Sequence, residues 1–177
     1  MLTLLSKVIR VGVVTEPAAP PTAAEVERLG IEVKRTLDRR FAGSLAIRHV
    51  DAGSCNGCEL EIHALNNPYY DVERFGVHFV ASPRHADCLL VTGPVSRNME
   101  TALRRTWDAC PEPKLVIASG DCACHGGEFG VSYASCGAIA NVIPVDVRIA
   151  GCPPSPAQLL AALQYLLQSA RARDIPR

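Results

Sequence analysis

The sequence has no net charge, because 18 lysine and arginine residues balance 18 aspartate and glutamate residues in a chain of 177 residues. A protein whose main partner is nucleic acid usually carries a basic excess or a basic stripe, so this balance disfavours such a partner. A net charge near zero also favours association between proteins. We therefore expect a protein that hides much of its surface in a complex and does not bind nucleic acid.

Long hydrophobic runs are also missing. The stretch MLTLLSKVIRVGVV is apolar, but Ser6, Lys7 and Arg10 interrupt it, and it is too short to cross a bilayer. It has no basic segment ahead of an apolar core and no small-residue cleavage site, as a secretory signal would have. We expect a cytoplasmic protein, in which the eight cysteines are ligands or buried thiols rather than a disulfide framework.

The first quarter of the sequence differs in texture from the rest. Residues 14–22, VTEPAAPPT, are rich in proline and are predicted to form a linker. Apolar residues between Val26 and Leu37 recur at roughly helical spacing among charges, which predicts an amphipathic helix. We interpret residues 1–44 as an N-terminal extension, which either docks on a partner or forms an ordinary additional helix. Residues 45–177 are then the main domain.

Short apolar runs alternate with helical patterns in the main domain. The runs are predicted to be strands, and they are LAIRHV, FGVHFVAS, DCLLVTGP, KLVIAS and VDVRIA. Helices are predicted in ELEIHALNN, NMETALRRTWDAC and SPAQLLAALQYLLQSARARD. This alternation is typical of βαβ units, so we expect an α/β fold with a parallel sheet covered by helices on both faces.

Cysteines follow three of the predicted strands. Cys55, Cys122 and Cys152 each come within two residues of a glycine that ends or follows an apolar run. The carboxyl ends of parallel strands lie at one edge of the sheet, where open α/β folds bind ligands. The glycines let the backbone turn sharply and approach a bulky ligand. Because Cys58 accompanies Cys55, we expect four thiols at one site.

Four thiolates at one site match the ligands of a [4Fe–4S] cluster. Iron and inorganic sulfide would neutralise part of the negative charge, and backbone N–H groups at helix N-termini would offset more of it. The segment NGCELEIHAL predicts such a helix start, with Cys58 in or near the first turn. The segment GCPPSPAQLL, which begins with Gly151, predicts another, because proline is tolerated in a first turn.

Two simpler interpretations of the cysteines compete with a cluster. A CxxC pair beside a βαβ pattern is also typical of a redox dithiol, but that leaves the Gly-Cys pattern at two other strand ends unexplained. A structural zinc site usually pairs one CxxC with another CxxC or with CxxH, whereas Cys122 and Cys152 are far apart in sequence. Cys124 is an alternative to Cys122 as the ligand from its loop, although Cys122 lies closer to the strand end.

The other cysteines and two polar residues receive lesser roles. Cys88 lies in an apolar strand and is predicted to be a buried small hydrophobe, and Cys110 and Cys136 are predicted to be inert packed thiols. His125 is interpreted as a solvated loop residue rather than one that tunes a cluster. Glu59 is interpreted as a carboxylate favoured by the helix start, with assistance to proton movement as the alternative.

Three motifs together resemble a known family. CNGCE, SPRHADCLLVTGPVSRNMETALRRTWDACPEPKLVIASGDCACHGG and VIPVDVRIAGCPPSP are similar to the small iron–sulfur subunit of membrane-bound group 4 [NiFe] hydrogenases and to the 20 kDa subunit of respiratory complex I. The resemblance runs from about Val50 to about Leu167. It implies a flavodoxin-like, three-layer fold that carries one [4Fe–4S] cluster next to the catalytic large subunit. The ligands that it implies are Cys55, Cys58, Cys122 and Cys152.

The first motif favours one branch of that family. The complex I subunit typically has two adjacent cysteines at the first position, whereas this chain has CNGC, and DAGSCNGCELEI is similar to formate hydrogenlyase-type small subunits. The resemblance implies an oxidoreductase subunit that is not catalytic alone. Its implied partners are a [NiFe] hydrogenase-like large subunit, a ferredoxin-like iron–sulfur subunit and membrane subunits that hold it at the cytoplasmic face of the cell membrane.

Two alternative functions stay open at this point. The first is a complex I-like NADH/quinone oxidoreductase small subunit, which keeps the cluster and changes the partner. The second belongs to another class: a binding module that contains zinc or a dithiol and transfers no electrons.

Overall fold

The computed structural model describes residues 6, 9, 10, 12 and 21–169. Most of the predicted linker at residues 14–22 lies outside the described residues. The helices are α1 (Ala23–Arg40), α2 (Gly57–Ala64), α3 (Arg97–Ala109), α4 (Asp121–His125) and α5 (Pro156–Gln168). The strands are β1 (Leu45–Asp51), β2 (Val77–Phe79), β3 (Cys88–Thr92), β4 (Val95–Ser96), β5 (Leu115–Ser119), β6 (Ser135–Gly137) and β7 (Val147–Ile149). Short 3₁₀ helices occur at Val72–Phe75, Pro83–His85 and Ile139–Asn141.

The main sheet has five parallel strands in the order β2-β1-β3-β5-β7. When the parallel strands are numbered by themselves, this is the 2-1-3-4-5 order of flavodoxin-like folds. Strands β4 and β6 form a separate antiparallel pair. The predicted α/β class with a parallel sheet is therefore confirmed. The predicted strand FGVHFVAS is shorter than expected, since only Val77–Phe79 pairs at the sheet edge.

Helices cover both faces of the sheet, and the strand residues alternate between the two faces. In β3, Cys88 and Leu90 belong to one apolar cluster, which α1, α2 and α5 complete. Leu89 and Val91 belong to a second cluster, which is completed by α3 and by the segment after β6. Burial on both faces explains why the central strands have continuous apolar sequences rather than alternating ones.

Helix α1 packs into the first apolar cluster. Thr22 and Glu25 form a capping box at its start, and Val26, Val33 and Leu37 are buried in the same cluster as the sheet residues. The predicted amphipathic helix is therefore present. Its packing favours an additional helix of the main body, and the division of the chain at residue 44 stays a prediction.

The carboxyl ends of four strands form one row across the sheet. Asp51 pairs with Thr92, Thr92 with Ser119, and Ser119 with Ile149. The loops that follow β1, β3, β5 and β7 therefore start side by side. Within the described part of the chain, no helix has the length and apolar character needed to cross a membrane.

Candidate functional site

The four cysteines singled out by the sequence line one cavity beyond this row of strand ends. The cavity has a volume of about 90 Å³, and its walls contain Cys55, Cys58, Cys122 and Cys152. Cys55 and Cys152 are exposed, whereas Cys58 and Cys122 are partly buried, so the cavity opens to the surface. The fold thus brings together thiols from three segments that are distant in sequence, with Cys58 at the start of α2 and Cys122 in α4.

The loop between β1 and α2 delivers two of the thiols. Asp51 Oδ1 accepts hydrogen bonds from the amides of Gly53 and Ser54, both at 2.8 Å, and this turns the chain directly after the strand. Asn56 precedes the helix in a left-handed conformation, with φ 73°. Helix α2 starts at the next residue, so Cys58 lies in its first turn as predicted.

Two glycines bring the backbone against the thiols. A Cβ atom on Gly120 would lie 2.6 Å from Cys58 Sγ, and a Cβ atom on Gly127 would lie 2.7 Å from Cys122 Sγ. Both residues have positive φ, at 91° and 55°. Glycine is therefore required at both positions for space and for conformation.

Cys152 precedes its helix rather than belonging to it. Helix α5 begins at Pro156, after the N-cap Ser155, whose hydroxyl accepts a hydrogen bond from the amide of Gln158. The helix start predicted in GCPPSPAQLL is thus present, but it lies after the cysteine. The thiol is carried by the bent segment between β7 and α5.

The thiol of Cys58 has the most perturbed surroundings of the four. Burial raises its pKa to about 12, and the neighbouring carboxylate of Glu59 and the thiols of Cys55, Cys122 and Cys152 add to the rise. Without a metal this thiol stays protonated at neutral pH. Metal binding at the site must therefore release its proton.

Cys124 points away from the cavity. Its Sγ donates hydrogen bonds to the carbonyls of Ile149 and Ala118, at 3.4 and 3.6 Å, and it packs against the second apolar cluster. Cys122, in contrast, lines the cavity. This difference supports Cys122 as the candidate ligand of the loop, and the ligand set itself stays a prediction.

The remaining cysteines are packed thiols, as predicted. Cys88 and Cys110 are buried, and Cys110 Sγ donates to the carbonyl of Ala86 at 3.0 Å. Cys136 Sγ donates to Glu100 Oε2 at 3.2 Å. Burial raises the pKa of each of these three thiols. Thiols that are buried and protonated are poorly reactive.

Sequence reasoning missed a buried hydrogen-bond network beside Cys58. Glu59 is only 7% exposed, and the hydroxyl of Thr92, at the end of β3, donates to its Oε1. His49 Nε2 lies 3.0 Å from the Thr92 oxygen and 3.6 Å from Glu59 Oε1. Burial lowers the pKa of His49, which favours the neutral imidazole. Because the Thr92 hydroxyl donates its proton to Glu59, His49 Nε2 carries the hydrogen in its contact with the Thr92 oxygen.

This network connects the first turn of α2 to β1, through His49, and to β3, through Thr92. His49 and Glu59 also line a second cavity of about 290 Å³, together with Arg48, His63 and other residues. The sequence contained a partial signal for it, since Glu59 directly follows a candidate ligand and Thr92 ends a strand. The His125 side chain is 65% exposed and stands 3.9 Å from Asp121 Oδ1, so it is solvated as predicted, but it is the last residue of α4 and does not lie in a loop.

The thiols are the groups of the cavity that could bind a cofactor. Four thiols around one cavity match the Cys₄ ligation of iron–sulfur clusters, and the lack of a Cβ atom at Gly120 and Gly127 leaves space for the sulfurs of Cys58 and Cys122. Among the described residues, no three histidine, cysteine, aspartate or glutamate side chains form a group that could hold a single metal ion.

Known proteins share this sequence and fold. The sequence model of the family described as "NADH ubiquinone oxidoreductase, 20 Kd subunit" matches residues 55–166. Formate hydrogenlyase subunit 7 of Escherichia coli is 43% identical over 157 residues, which cover 86% of this chain and 62% of the relative. This chain therefore spans less than two thirds of that relative.

Two further relatives are covered more evenly. A probable membrane-bound hydrogenase subunit of Pyrococcus furiosus, mbhJ, is 47% identical over 143 residues, which cover 80% of this chain and 86% of the relative. An NADH-quinone oxidoreductase subunit of Desulfovibrio desulfuricans is 48% identical over 122 residues, which cover 67% of this chain and 66% of the relative.

Solved structures show the same fold. A chain from the membrane-bound sulfane sulfur reductase, an archaeal respiratory membrane complex, superposes with a TM-score of 0.64 and 34% identity, covering 77% of this chain and 75% of that chain. A chain from an NAD⁺-reducing [NiFe]-hydrogenase in the H₂-reduced state gives a TM-score of 0.54 at 19% identity, covering 70% of this chain and 91% of that chain. The second likeness is one of fold alone.

Proposed function

Because this chain belongs to the NADH ubiquinone oxidoreductase 20 kDa subunit family, whose members are subunits of oxidoreductase complexes, we propose that it carries one [4Fe–4S] cluster and transfers electrons through it. Cys55, Cys58, Cys122 and Cys152 are the proposed ligands. The observation that carries the proposal is the convergence of these four thiols on one cavity at the row of strand ends.

The competing interpretations of the cysteines explain less of this arrangement of four thiols. A redox dithiol needs Cys55 and Cys58 alone, yet two more thiols stand across the same cavity. A structural zinc ion needs four ligands close around one point. The cluster uses all four thiols and gives a reason for glycine at positions 120 and 127.

The residues of this chain bind and insulate the cluster in the proposed mechanism. A bound cluster would supply one-electron transfer. The four thiolates hold it, and the first turn of α2 offers amide groups that offset negative charge. The partly buried Cys58 would hold the cluster away from water, while the exposed Cys55 and Cys152 would lie at the surface, where a partner can approach. Burial and hydrogen bonds to sulfur then set the potential.

The spacing of the first two cysteines favours the hydrogenase branch. Relatives of similar identity carry hydrogenase and NADH-quinone oxidoreductase names, so identity alone does not separate the branches. The CNGC motif with Cys58 in a helical first turn matches the spacing expected for hydrogenase small subunits. We place the chain next to a [NiFe] hydrogenase-like large subunit and a ferredoxin-like iron–sulfur subunit in a formate hydrogenlyase-like complex.

The proposed location follows from the same partners. Relatives are named as membrane-bound hydrogenase and formate hydrogenlyase subunits. We place the chain at the cytoplasmic face of the cell membrane, attached through membrane subunits of the complex. A complex I-like role with quinone as the acceptor is the second candidate, which the NADH-quinone oxidoreductase relative favours.

Metal analysis of the native complex tests the cluster and the branch together. The complex is purified without oxygen, and the small subunit is expected to contribute about four iron and four sulfide per chain and to give a reduced-cluster EPR signal with dithionite. Nickel in the accompanying large subunit supports the hydrogenase branch, whereas a nickel-free complex with quinone-dependent activity supports the second candidate. A colourless small subunit with one zinc per chain would contradict the cluster.

A further inference from the structure

Asp121 joins two loops that carry proposed ligands. Its amide donates to the carbonyl of Gly151 at 2.8 Å, and its Oδ1 accepts from the amide of Gly151 at 2.8 Å. We call such a pair of hydrogen bonds, in which one aspartate uses its amide and its carboxylate on a neighbouring strand or loop, a reciprocal Asp contact. Cys122 and Cys152 each follow this contact by one residue.

The same contact occurs at the opposite end of the same two strands. The amide of Asp146, just before β7, donates to the carbonyl of Val116 at 2.9 Å, and its Oδ2 accepts from the amide of Val116 at 2.8 Å. This contact lies at the amino end of β7, and neither residue lines the cysteine cavity. The two contacts therefore share chemistry and strand pair but differ in their distance from the thiols.

The contact at Asp121 lies where the regular sheet ends. The last backbone bond of the β5–β7 edge runs from the amide of Gly120 to the carbonyl of Ile149, at 2.8 Å. Beyond it, Asp121 extends the connection into the loops. Gly151 has no room for a side chain, because a Cβ atom there would lie 2.8 Å from the backbone of Pro154. The segment with Cys152 is thus held at this point by backbone groups and by the Asp121 carboxylate.

We propose that Asp121 is a positioning residue of the cluster site, whose reciprocal contact with Gly151 holds the loops of Cys122 and Cys152 at the spacing that one cluster requires. This inference rests on the proposed function, because it concerns the geometry of the proposed ligands. It assigns a positioning role to Asp121, which lines the cavity beside the thiols but is not one of the proposed ligands.

Three variants of the full chain in its native complex test the inference. Asp121→Ala removes the carboxylate acceptor, Asp121→Asn keeps an oxygen at the same place, and Asp146→Ala removes the matched contact at the far end of β5 and β7. Iron and sulfide per chain, the EPR spectrum of the dithionite-reduced complex and the rate of iron loss to a chelator are measured for each. Thermal unfolding of each variant reports the loss of stability.

The expected pattern separates positioning from general stability. Asp121→Ala should lose iron about ten- to a hundredfold faster than wild type and give an altered EPR spectrum, as is typical when a partner of metal ligands is removed. Asp121→Asn should restore the wild-type rate and spectrum. Asp146→Ala should lower the unfolding temperature and leave both unchanged. If Asp121→Ala does not fold, Asp121→Ser replaces it, because the serine hydroxyl is too short to reach Gly151.

Other results overturn the inference in distinguishable ways. A wild-type complex whose small subunit has no iron or sulfide overturns the proposed function and the inference together. A wild-type subunit with a cluster and an Asp121→Ala variant that keeps its cluster equally well overturns the inference alone. The same holds if Asp146→Ala loses iron as fast as Asp121→Ala, since the effect would then be one of stability.

Discussion

The two ends of the parallel sheet are built differently. At the amino end, Asp87 exchanges two hydrogen bonds with Ala46, and Asp146 exchanges two with Val116, so strand starts are tied together by side chains. At the carboxyl end, Asp121 makes the same kind of contact with Gly151, but the segments that leave the strands also carry thiols, and those of Cys55 and Cys152 are exposed. One end is closed by internal contacts, and the other presents groups to the outside.

Buried polar groups follow the same division. Lys114, just before β5 at the amino end, is buried, yet its Nζ donates to the carbonyls of Trp107 and Cys110 at 2.7 and 3.1 Å. Three buried atoms have no hydrogen-bond partner among the described residues: Ser119 Oγ and Glu59 Oε2 at the carboxyl end, and Arg48 Nε in the middle of β1. Unsatisfied groups cost stability, and they concentrate at functional sites. The difference indicates that the amino end serves stability and the carboxyl end serves binding.

The largest expected effect comes from the proposed ligands. Cys122→Ser should abolish the cluster, because a serine oxygen replaces a thiolate that lines the cavity, whereas Cys124→Ser in the same helix should keep full iron content. Iron, sulfide and the reduced EPR spectrum of the complex are measured. Cluster loss in Cys124→Ser with retention in Cys122→Ser would contradict the proposed ligand set. The thiols that line the cavity at the carboxyl end would then not be the ones that bind the cofactor.

A glycine substitution at the carboxyl end should have the next largest effect. In Gly120→Ala the new Cβ would lie 2.6 Å from Cys58 Sγ, so the thiol must move and iron content should fall to a small part of the wild-type value. Gly130→Ala is the matched control, since Gly130 also has positive φ but has no atom within 4 Å of the new Cβ. Gly130→Ala is expected to lose about 1–2 kcal/mol of unfolding free energy from backbone strain. Gly120→Ala is expected to lose more, because its φ of 91° with ψ of 157° lies in a region that is essentially restricted to glycine.

The iron content of the two glycine variants then tests whether crowding of Cys58 Sγ, and not lost stability alone, removes the cofactor. Equal iron content in Gly120→Ala and Gly130→Ala would show that the space beside Cys58 is not needed for the cofactor.

Most of the fold, and the convergence of the thiols, could be predicted from local sequence patterns. Each central strand is a short apolar run bounded by glycine, proline or a charge, and both faces of the sheet are buried, so the runs of β3 and β5 were recognisable by composition. The convergence of Cys55, Cys122 and Cys152 followed from the rule that parallel strands end at one edge. These inferences needed no knowledge of side-chain packing.

Contacts between side chains that are distant in the chain could not be predicted from the sequence. Glu59 was interpreted as a helix-start carboxylate, but the hydroxyl of Thr92 and the ring of His49 lie against it. Asp121 received no role from the sequence, because its bonds to Gly151 depend on the register of β5 and β7. A single sequence contains the residue types of such contacts, but the pairing exists only once the strands are aligned.

Removing the hydroxyl that holds Glu59 should alter the cluster without abolishing it. Thr92→Val leaves Glu59 Oε1 without this donor, and an unmade bond to a buried polar group costs about 1–3 kcal/mol of unfolding free energy. Because Glu59 follows Cys58, we expect a changed EPR spectrum and near-normal iron content, with recovery in Thr92→Ser. Thr106→Val is the control, since Thr106 Oγ1 donates only to the carbonyl of Ala102 on an exposed part of α3. An unchanged EPR spectrum in Thr92→Val would show that the hydrogen bond to Glu59 has no influence on the cluster.

The smallest effect on the cluster is expected at the amino end of the sheet. Lys114→Met removes the donor for two carbonyls and the cation that lies 4.0 Å from the centroid of the Trp107 ring. We expect a loss of about 2–3 kcal/mol in unfolding free energy, because hydrogen bonds from charged groups are lost inside the protein. Denaturant unfolding of the variant measures this loss.

Iron content decides whether Lys114 belongs to the stabilising end. At equal occupancy of the folded state, Lys114→Met should bind as much iron as the wild type and release it to a chelator at the same rate, since neither Lys114 nor its partners line the cysteine cavity. A variant that unfolds more easily but keeps its cluster would sharpen the contrast between the two ends. Iron loss comparable to that of Gly120→Ala would instead mean that packing at the amino end is transmitted along β5 to the thiols, and the division of roles would fail.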